Sequence, residues 1–527
     1  MIRSRLVPWK VLQTHRPRVL IFGASSTGQA QFDGIKRSHK VIGFVDNDNS
    51  KNGSRLSGKP VYSPQVINSL KFDKIIIASC YHQEIARQLT DEIKIDPDKI
   101  SIFHTGTEAT EQTRSYIRQF IDERCLRSIL SARNPLVART GFLLVKLLDN
   151  AYRSAVLRKI QWLDENPEQS LSILRPAGQA VIYGPRFSGK PRRTSTVEIP
   201  AIRLSRHENA TIACTSNAVM YEDRLLMWKP PAADIRFSDY SSGNIMTHGR
   251  NYALTKNPDT CGIERGLAIT GSNDVNYYHW MLEVLSKLAY IDQLGEEYDH
   301  YPILISEKAL SIESVSSFIH HLGIDRKFIY LRSYQHYKVN DLLTITPPNF
   351  AAVNFKGKTR NDTTDFYFST ASLHFLRRTA IDYSAGLSNG TTYSERVFLA
   401  RKGDLRPYNQ EEVWEVLYQS GFKKLFLEDL SFAEQVHAMQ HARYVVGPTG
   451  AAWTNLIFFR SGAKALCWMA EESGNFSSFS HIAEEMDVKM DYITYKTGFA
   501  SCREITYRKY CVDVQQISHW LVSHGLT

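Results

Sequence analysis

Short runs of β-branched and apolar residues alternate with helical stretches in two separate parts of this chain, and that rhythm admits few architectures. Between Arg18 and Thr105 the runs are Val19–Phe22, Val41–Val45, Ile75–Ala78 and Ile100–Phe103, with helical patterns such as His82–Ile93 between them. The rhythm returns at Ile303–Ile305, Phe328–Leu331, Arg396–Ala400, Tyr444–Val446 and Lys464–Trp468. Apolar strands separated by helices predict parallel sheets covered on both faces, so the expected fold class is α/β. Ala180–Thr270 is richer in short strands and turns, whereas Glu108–Glu165 reads as helical, with few glycines or prolines. No repeat of fixed period interrupts this organisation.

Composition removes several alternatives. A chain of 527 residues, 43% apolar and 22% charged, is globular rather than disordered or collagen-like, with room for two to four domains of about 150 residues. The densest apolar run, Gly141–Leu148, is interrupted by Lys146 and falls far short of the roughly 20 residues a membrane span needs. The opening ten residues are basic but lack an apolar core, so no secretion signal is expected. Seven cysteines without a Cys-x-x-Cys pair fit reduced thiols in a cytoplasm, and no metal site is expected.

The net charge of +10 attracts polyanions: nucleic acid, anionic headgroups or phosphorylated small molecules. Residues 111–160 concentrate ten Lys/Arg against four Asp/Glu. In Pro135–Trp162, Leu136, Phe142, Leu143, Leu147 and Leu148 stand beside Arg139, Lys146, Arg153, Arg158 and Lys159. Such a segment suits either a basic amphipathic helix on an anionic membrane or a helix packed between domains with a solvated basic face. Nucleic-acid binding has only the charge in its favour, because no reader motif accompanies it.

Three glycine turns follow strands. Gly23-Ala-Ser-Ser-Thr-Gly28 stands where a dinucleotide fingerprint would, with Ser25 in place of the middle glycine and Asp46 ending the second strand where a ribose hydroxyl is held. Gly23, Ser25, Gly28 and Asp46 are therefore candidate nucleotide-binding residues. With Ile42–Asp48, Gly58–Val61 and Ile75–Ser79 following in order, the region resembles the Rossmann-like N-terminal domain found ahead of bacterial sugar acetyltransferases and sugar-nucleotide dehydratases. In contrast, Gly184–Lys190 has P-loop spacing but continues with Pro191 where Ser or Thr should meet magnesium, and reads as a surface turn.

The second turn lies in Tyr444–Phe458, where small residues at 450–452 open a helix whose free amides attract phosphate. Thr449, Gly450, Ala451 and Asn455 are candidates there. Arg401 and Arg406 leave the strand Arg396–Ala400 at its carboxyl end, where open α/β sheets bind ligands and guanidinium groups suit a diphosphate. The third turn, Gly271–Asn276, follows the strand Gly266–Thr270. It bears Asp274 and leads into a helix where His279 and Glu283, four apart, share a face. His279 or Asp274 is the candidate base for an attacking hydroxyl, and Glu283 the group that orients His279.

Taken in order, Asn276–Leu285, Val397–Arg401 with Asn409 and Glu411, Leu430–Val436, and Val446–Phe458 resemble glycosyltransferase family 61. The main departure is Thr449, where family members commonly carry histidine. The resemblance implies a GT-B fold of two Rossmann-like lobes, inversion at the anomeric carbon and no cofactor. It also implies a UDP-, GDP- or CMP-sugar donor and a glycan or lipid-linked acceptor in capsule, lipopolysaccharide or exopolysaccharide synthesis. The expected organisation is a Rossmann-like domain at 1–105, a basic helical linker at 106–175, an acceptor-side lobe at 176–375 and a donor lobe at 376–527, cytoplasmic and in peripheral contact with an inner membrane. The alternative is a sugar-nucleotide-binding sensor or assembly subunit without turnover.

Overall fold

A computed structural model describes residues 17–24, 32, 35–36, 39–48, 51–78, 85–86, 88–102, 126–148, 152, 154–163, 170–228, 242–333, 335–351, 362–387, 392–402, 406–498 and 509–526. They fall into two units, Met1–Arg118 and Gln119–Thr527.

The first unit is built on six strands in the order Arg55–Leu56, Lys59–Tyr62, Lys40–Val45, Arg18–Phe22, Lys74–Ile77, Ile100–Ile102. All pair in parallel except the hairpin at the edge. Alternate residues of the first strand enter opposite cores, Val19 and Ile21 on one face, Leu20 and Phe22 on the other, which is why its sequence reads as an unbroken apolar run. Strand order reverses beside Arg18–Phe22, the doubly wound arrangement that leaves a crevice at the carboxyl ends of the central strands.

The second unit holds two principal sheets. In an eleven-stranded sheet, one part runs in parallel as Phe328–Leu331, Ile303–Ser306, Thr260–Ala268, His336–Ile345. In chain order that is third, second, first, fourth, so the order reverses beside Thr260–Ala268. The rest of this sheet is largely antiparallel, reached through Ile202–Ala213. A six-stranded parallel sheet runs Lys423–Leu425, Arg396–Leu399, Tyr444–Pro448, Lys464–Ala470, Lys489–Tyr495, Arg186–Phe187. Its order reverses between Arg396–Leu399 and Tyr444–Pro448. One buried apolar cluster reaches from Leu267 and Ile303 of the large sheet through Trp280 and Leu376 to Val397 and Val445 of the parallel one.

The described part of 106–175 departs from its helical reading, and residues 106–125 lie outside the described set. Helices occupy Arg127–Leu130 and Pro135–Leu148, but Val156–Trp162 and Ser170–Arg175 are strands of the large sheet. Val156–Trp162 pairs with Arg224–Met227 and Tyr252–Thr255. Its period-two burial was hidden by Arg158, which points inward at 4% exposure and donates from Nε to the Tyr221 carbonyl at 2.9 Å and from Nη1 to Thr255 Oγ1. Of Gly184–Lys190, expected as a surface turn, residues 188–190 turn at the surface with Gly189 at φ +69°, whereas Gly184 and Pro185 are buried and Arg186–Phe187 is a strand that pairs with Asp491–Tyr492. Of the expected helix His82–Ile93, residues 82–84 and 87 lie outside the described set, and Gln88–Glu92 forms a π-helical turn. Among the described residues, no helix is long and apolar enough to cross a membrane.

Candidate functional site

At the reversal point of the large sheet, the chain leaves Ala268 and turns at Gly271. A Cβ there would lie 2.7 Å from Val284 Cγ2, so only glycine lets the turn rest against the following helix. That helical stretch begins at Tyr277–His279, with Asn276 capping it by accepting the Tyr278 N–H at 2.9 Å. It then widens into a π turn over Trp280–Val284 and tightens to a 3-10 helix over Leu285–Gln293. Insertions of this kind re-aim side chains and recur at functional sites.

Here they bring together three groups. His279 Nδ1 lies 2.7 Å from Glu283 Oε1 and 3.1 Å from Ser272 Oγ. Glu283 Oε2 accepts the Ser272 N–H at 2.8 Å and its hydroxyl at 2.6 Å. Burial alone pushes the Glu283 carboxyl up, but the adjoining His279 imidazole and the hydrogen bonds from His279 and Ser272 outweigh it and hold the group below its usual range. A carboxylate on Nδ1 fixes the proton there and leaves Nε2 as the basic nitrogen. Among the described residues nothing bonds Nε2.

Asp274 is placed differently. Its Oδ2 accepts the hydroxyls of Ser306 at 2.8 Å and Ser333 at 2.5 Å, and faces Cys214 Sγ at 3.8 Å. Its carbonyl takes the Trp280 indole N–H at 2.9 Å. Burial, with the Asp274 charge adding, pushes the Cys214 thiol up to about 12. Asp274 thus braces the loop against the strand ends, and no hydrogen bond among the described residues joins it to His279.

One group escaped the sequence reading. Lys287 Nζ donates to the Thr270 carbonyl and to Asn217 Oδ1, both at 2.7 Å, and burial pushes its ammonium down to about 7 against the opposing pull of Glu283. The spacing 279, 283, 287 along one helix face was the available signal.

The parallel sheet presents a second site at its own reversal point. The Arg401 backbone N–H donates to Gln410 Oε1 at 2.8 Å, and Gln410 Nε2 returns to the Arg401 carbonyl at 3.1 Å. The guanidinium donates from Nη2 to the Thr449 carbonyl and reaches the Arg406 carbonyl from Nη1 at 3.5 Å. A Cβ on Gly450 would stand 3.0 Å from Arg401 Nη2, so glycine there lets the arginine lie across the turn. The 3-10 helix Ala451–Phe458 starts from that turn, its first amides having no carbonyl within the helix. Arg406 sits at φ +55°.

Behind the two arginines lies an aromatic slab that the sequence did not announce. Tyr495 and Tyr510 stack at 3.8 Å, and Tyr408 stacks on Tyr510 at 5.2 Å. Glu472, just past Lys464–Ala470, accepts the Thr497 and Gly498 amides on Oε1 at 2.9 and 2.8 Å. Asn455 lies away from this edge. Fully buried, its Oδ1 accepts the Tyr277 hydroxyl at 2.7 Å and its Nδ2 donates to Gln435 Oε1 at 3.2 Å. Tyr278 reaches the same half of the unit through Ser478 Oγ at 2.6 Å. The two residues that immediately precede His279 are thereby fastened to the parallel sheet's helices.

In the first unit, Gly23 takes φ +118° and donates its N–H to the Val45 carbonyl at 2.7 Å. Asp46 holds the turn: Oδ2 accepts the Ala24 N–H at 2.8 Å and Lys51 Nζ at 3.2 Å, and Oδ1 accepts the Asp48 N–H at 2.9 Å. Ser25 and Gly28 lie outside the described residues.

Comparisons with known proteins divide the chain similarly. Residues 15–101 match the family described as C2185-like, N-terminal. No curated protein matches the chain. Among solved structures, it is similar to UDP-D-quinovosamine 4-dehydrogenase from Vibrio fischeri, at 16% identity over 19% of this chain and 87% of that one, with a TM-score of 0.15. It is likewise similar to RSP, a Rex-family repressor, at 18% identity over 20% of this chain and 60% of that one, with a TM-score of 0.16. Likenesses at that level decide nothing about fold or ligand. The model of the family Glycosyltransferase 61 matches residues 277–466, from the tyrosine beside His279 to the middle strand of the parallel sheet. Residues 277–466 are therefore similar to the family Glycosyltransferase 61.

Proposed function

We propose that this chain is an inverting, metal-independent glycosyltransferase of GT-B type, with an acceptor-side lobe at 176–375 and a donor lobe at 376–527. It moves a sugar from a UDP-, GDP- or CMP-sugar to a glycan or lipid-linked acceptor in capsule, lipopolysaccharide or exopolysaccharide synthesis, in the cytoplasm or at the inner membrane face. The observation that carries the reading is the His279 Nδ1–Glu283 Oε1 bond of 2.7 Å at one reversal point. The Tyr277–Asn455 bond ties it to the half of the unit that bears the other.

His279 Nε2 takes the proton of the acceptor hydroxyl as its oxygen attacks the anomeric carbon, and Glu283 stabilises the imidazolium that forms. The bond from the anomeric carbon to the nucleotide phosphate breaks on the opposite face, which inverts the centre and releases the nucleotide. Charge growing on the phosphate of the leaving nucleotide is met by Arg401, Arg406 and the amides at Gly450 and Ala451. Asp274 braces the loop that carries the base.

A second reading, a sugar-nucleotide-binding subunit without turnover, draws support from Thr449 and from the Arg401 guanidinium being engaged on the Thr449 carbonyl. Thermal shifts with UDP-, GDP- and CMP-sugars on wild type, Arg401→Ala and Gly23→Arg, followed by a transfer and donor-hydrolysis assay, separate the two. A shift lost in Arg401→Ala, together with turnover, is expected. A shift lost only in Gly23→Arg, or binding with neither transfer nor hydrolysis, would overturn the transferase reading in favour of the second.

A further inference from the structure

The helix Pro135–Leu148 is fixed to the edge of the large sheet by one side only. Asn134 Oδ1 caps it by accepting the Leu136 N–H at 2.9 Å, and Pro135 opens its first turn. Ala138 and Val145 are buried. Gly141 approaches the preceding helix so closely that a Cβ would stand 2.4 Å from Ile129 Cγ2. Val145 joins a core with Leu126, Leu130 and Leu254, so the side that packs is settled. The opposite side is apolar too: Leu136, Val137, Leu143 and Leu144 are 68%, 48%, 60% and 55% exposed. At about 100° per residue these four fall within one stripe, with Thr140 between them.

The helix contains no acidic residue. Arg133 and Arg139 are exposed beside the stripe, and Lys146 lies over the Phe142 ring at 4.7 Å. An outward apolar stripe on a helix whose charged residues are Arg139 and Lys146 is complementary to one surface in particular, an acyl boundary beneath anionic headgroups. Fourteen residues span about 21 Å, too short to cross a bilayer but long enough to lie in its interface.

We infer that Pro135–Leu148 docks the protein on an anionic lipid surface, with Leu136, Val137, Leu143 and Leu144 inserted among the acyl chains and Arg133 and Arg139 at the headgroups. This names the face through which the membrane contact of the proposed function is made. It does not depend on the chemistry at His279, so vesicle binding and sugar transfer succeed or fail separately.

The test is flotation of the full chain with phosphatidylcholine vesicles and with vesicles that also contain phosphatidylglycerol. Wild type is expected to float with the anionic vesicles. Leu136→Ser with Leu143→Ser is expected to lower the bound fraction at least about tenfold, from the apolar area no longer withdrawn from water. Arg139→Gln is expected to lower it about fivefold on anionic vesicles only. All three positions are exposed, and an unchanged melting temperature confirms folding of the variants. No flotation of wild type, or equal flotation of the double-serine variant, would overturn the inference. So would wild-type self-association in sedimentation that the serines abolish without any vesicle binding, which would give the stripe to a second copy of the chain.

Discussion

Two turns in this molecule are closed the same way, by a carboxylate that accepts a turn amide, and differ in that carboxylate's other partners. In the first unit the turn after the leading strand is held by Asp46, whose Oδ2 accepts the Ala24 N–H at 2.8 Å; in the second, the turn after Thr260–Ala268 is held by Glu283, whose Oε2 accepts the Ser272 N–H at 2.8 Å. The remaining contacts of Asp46 are another amide and the Lys51 ammonium, at 2.9 and 3.2 Å. The remaining oxygen of Glu283 meets an imidazole. A carboxylate answered by amides and a lysine only closes a loop. One answered by a histidine closes a loop and also sets which ring nitrogen is basic.

The comparison breaks most sharply at His279. His279→Ala is expected to lower kcat about 10²- to 10⁴-fold while leaving the donor-induced thermal shift in place; unchanged turnover in steady-state transfer would reduce the Glu283 turn to the status of the Asp46 turn. Glu283→Gln should cost on the order of 10²-fold in kcat, because the imidazolium loses its counter-charge. It should also change the acid limb of stability. Since Glu283 is held below its usual range in the fold, its ionisation contributes stability that is fully present above the unfolded value and lost as pH falls through the folded one. Urea melts against pH should show that limb flatten in the glutamine variant.

At the edge of the parallel sheet that bears Arg401, Arg401→Ala is expected to weaken donor binding about 10-fold or more, the scale of a lost charge-assisted hydrogen bond, read by titration calorimetry. The smallest effect belongs to Asp46→Ala. It should lower the stability of the first unit by about 1–2 kcal/mol through two orphaned amides. Its kcat per folded molecule should move far less than that of Glu283→Gln, and an equal loss would erase the distinction between the turns.

The sequence made legible what local spacing carries. Apolar runs located the parallel strands, and four-residue spacing on a helix brought His279 to Glu283. Strand-end position put Arg401 beside Thr449 and Gly450. What it hid depended on partners far along the chain. The roles of Asp274 and Asn455 are decided by Ser306, Ser333 and Tyr277, none of which a local window contains. Val156–Trp162 read as helix because Arg158 and Lys159 mimic a solvated face, although Arg158 is satisfied inside the sheet by Tyr221 and Thr255. The tyrosine slab joins 408, 495 and 510 and leaves no periodic trace.

The two hydroxyls beside His279 carry a consequence for exchange between proteins. Tyr277 seats in Asn455, and Tyr278 in Ser478, so consecutive residues act as a two-pin plug whose sockets both belong to the half that carries the parallel sheet. Grafting another parallel-sheet half onto this chain would keep the histidine in register wherever hydrogen-bonding side chains stand at those two positions. A graft without them would leave two phenols unpaired and the histidine free to drift.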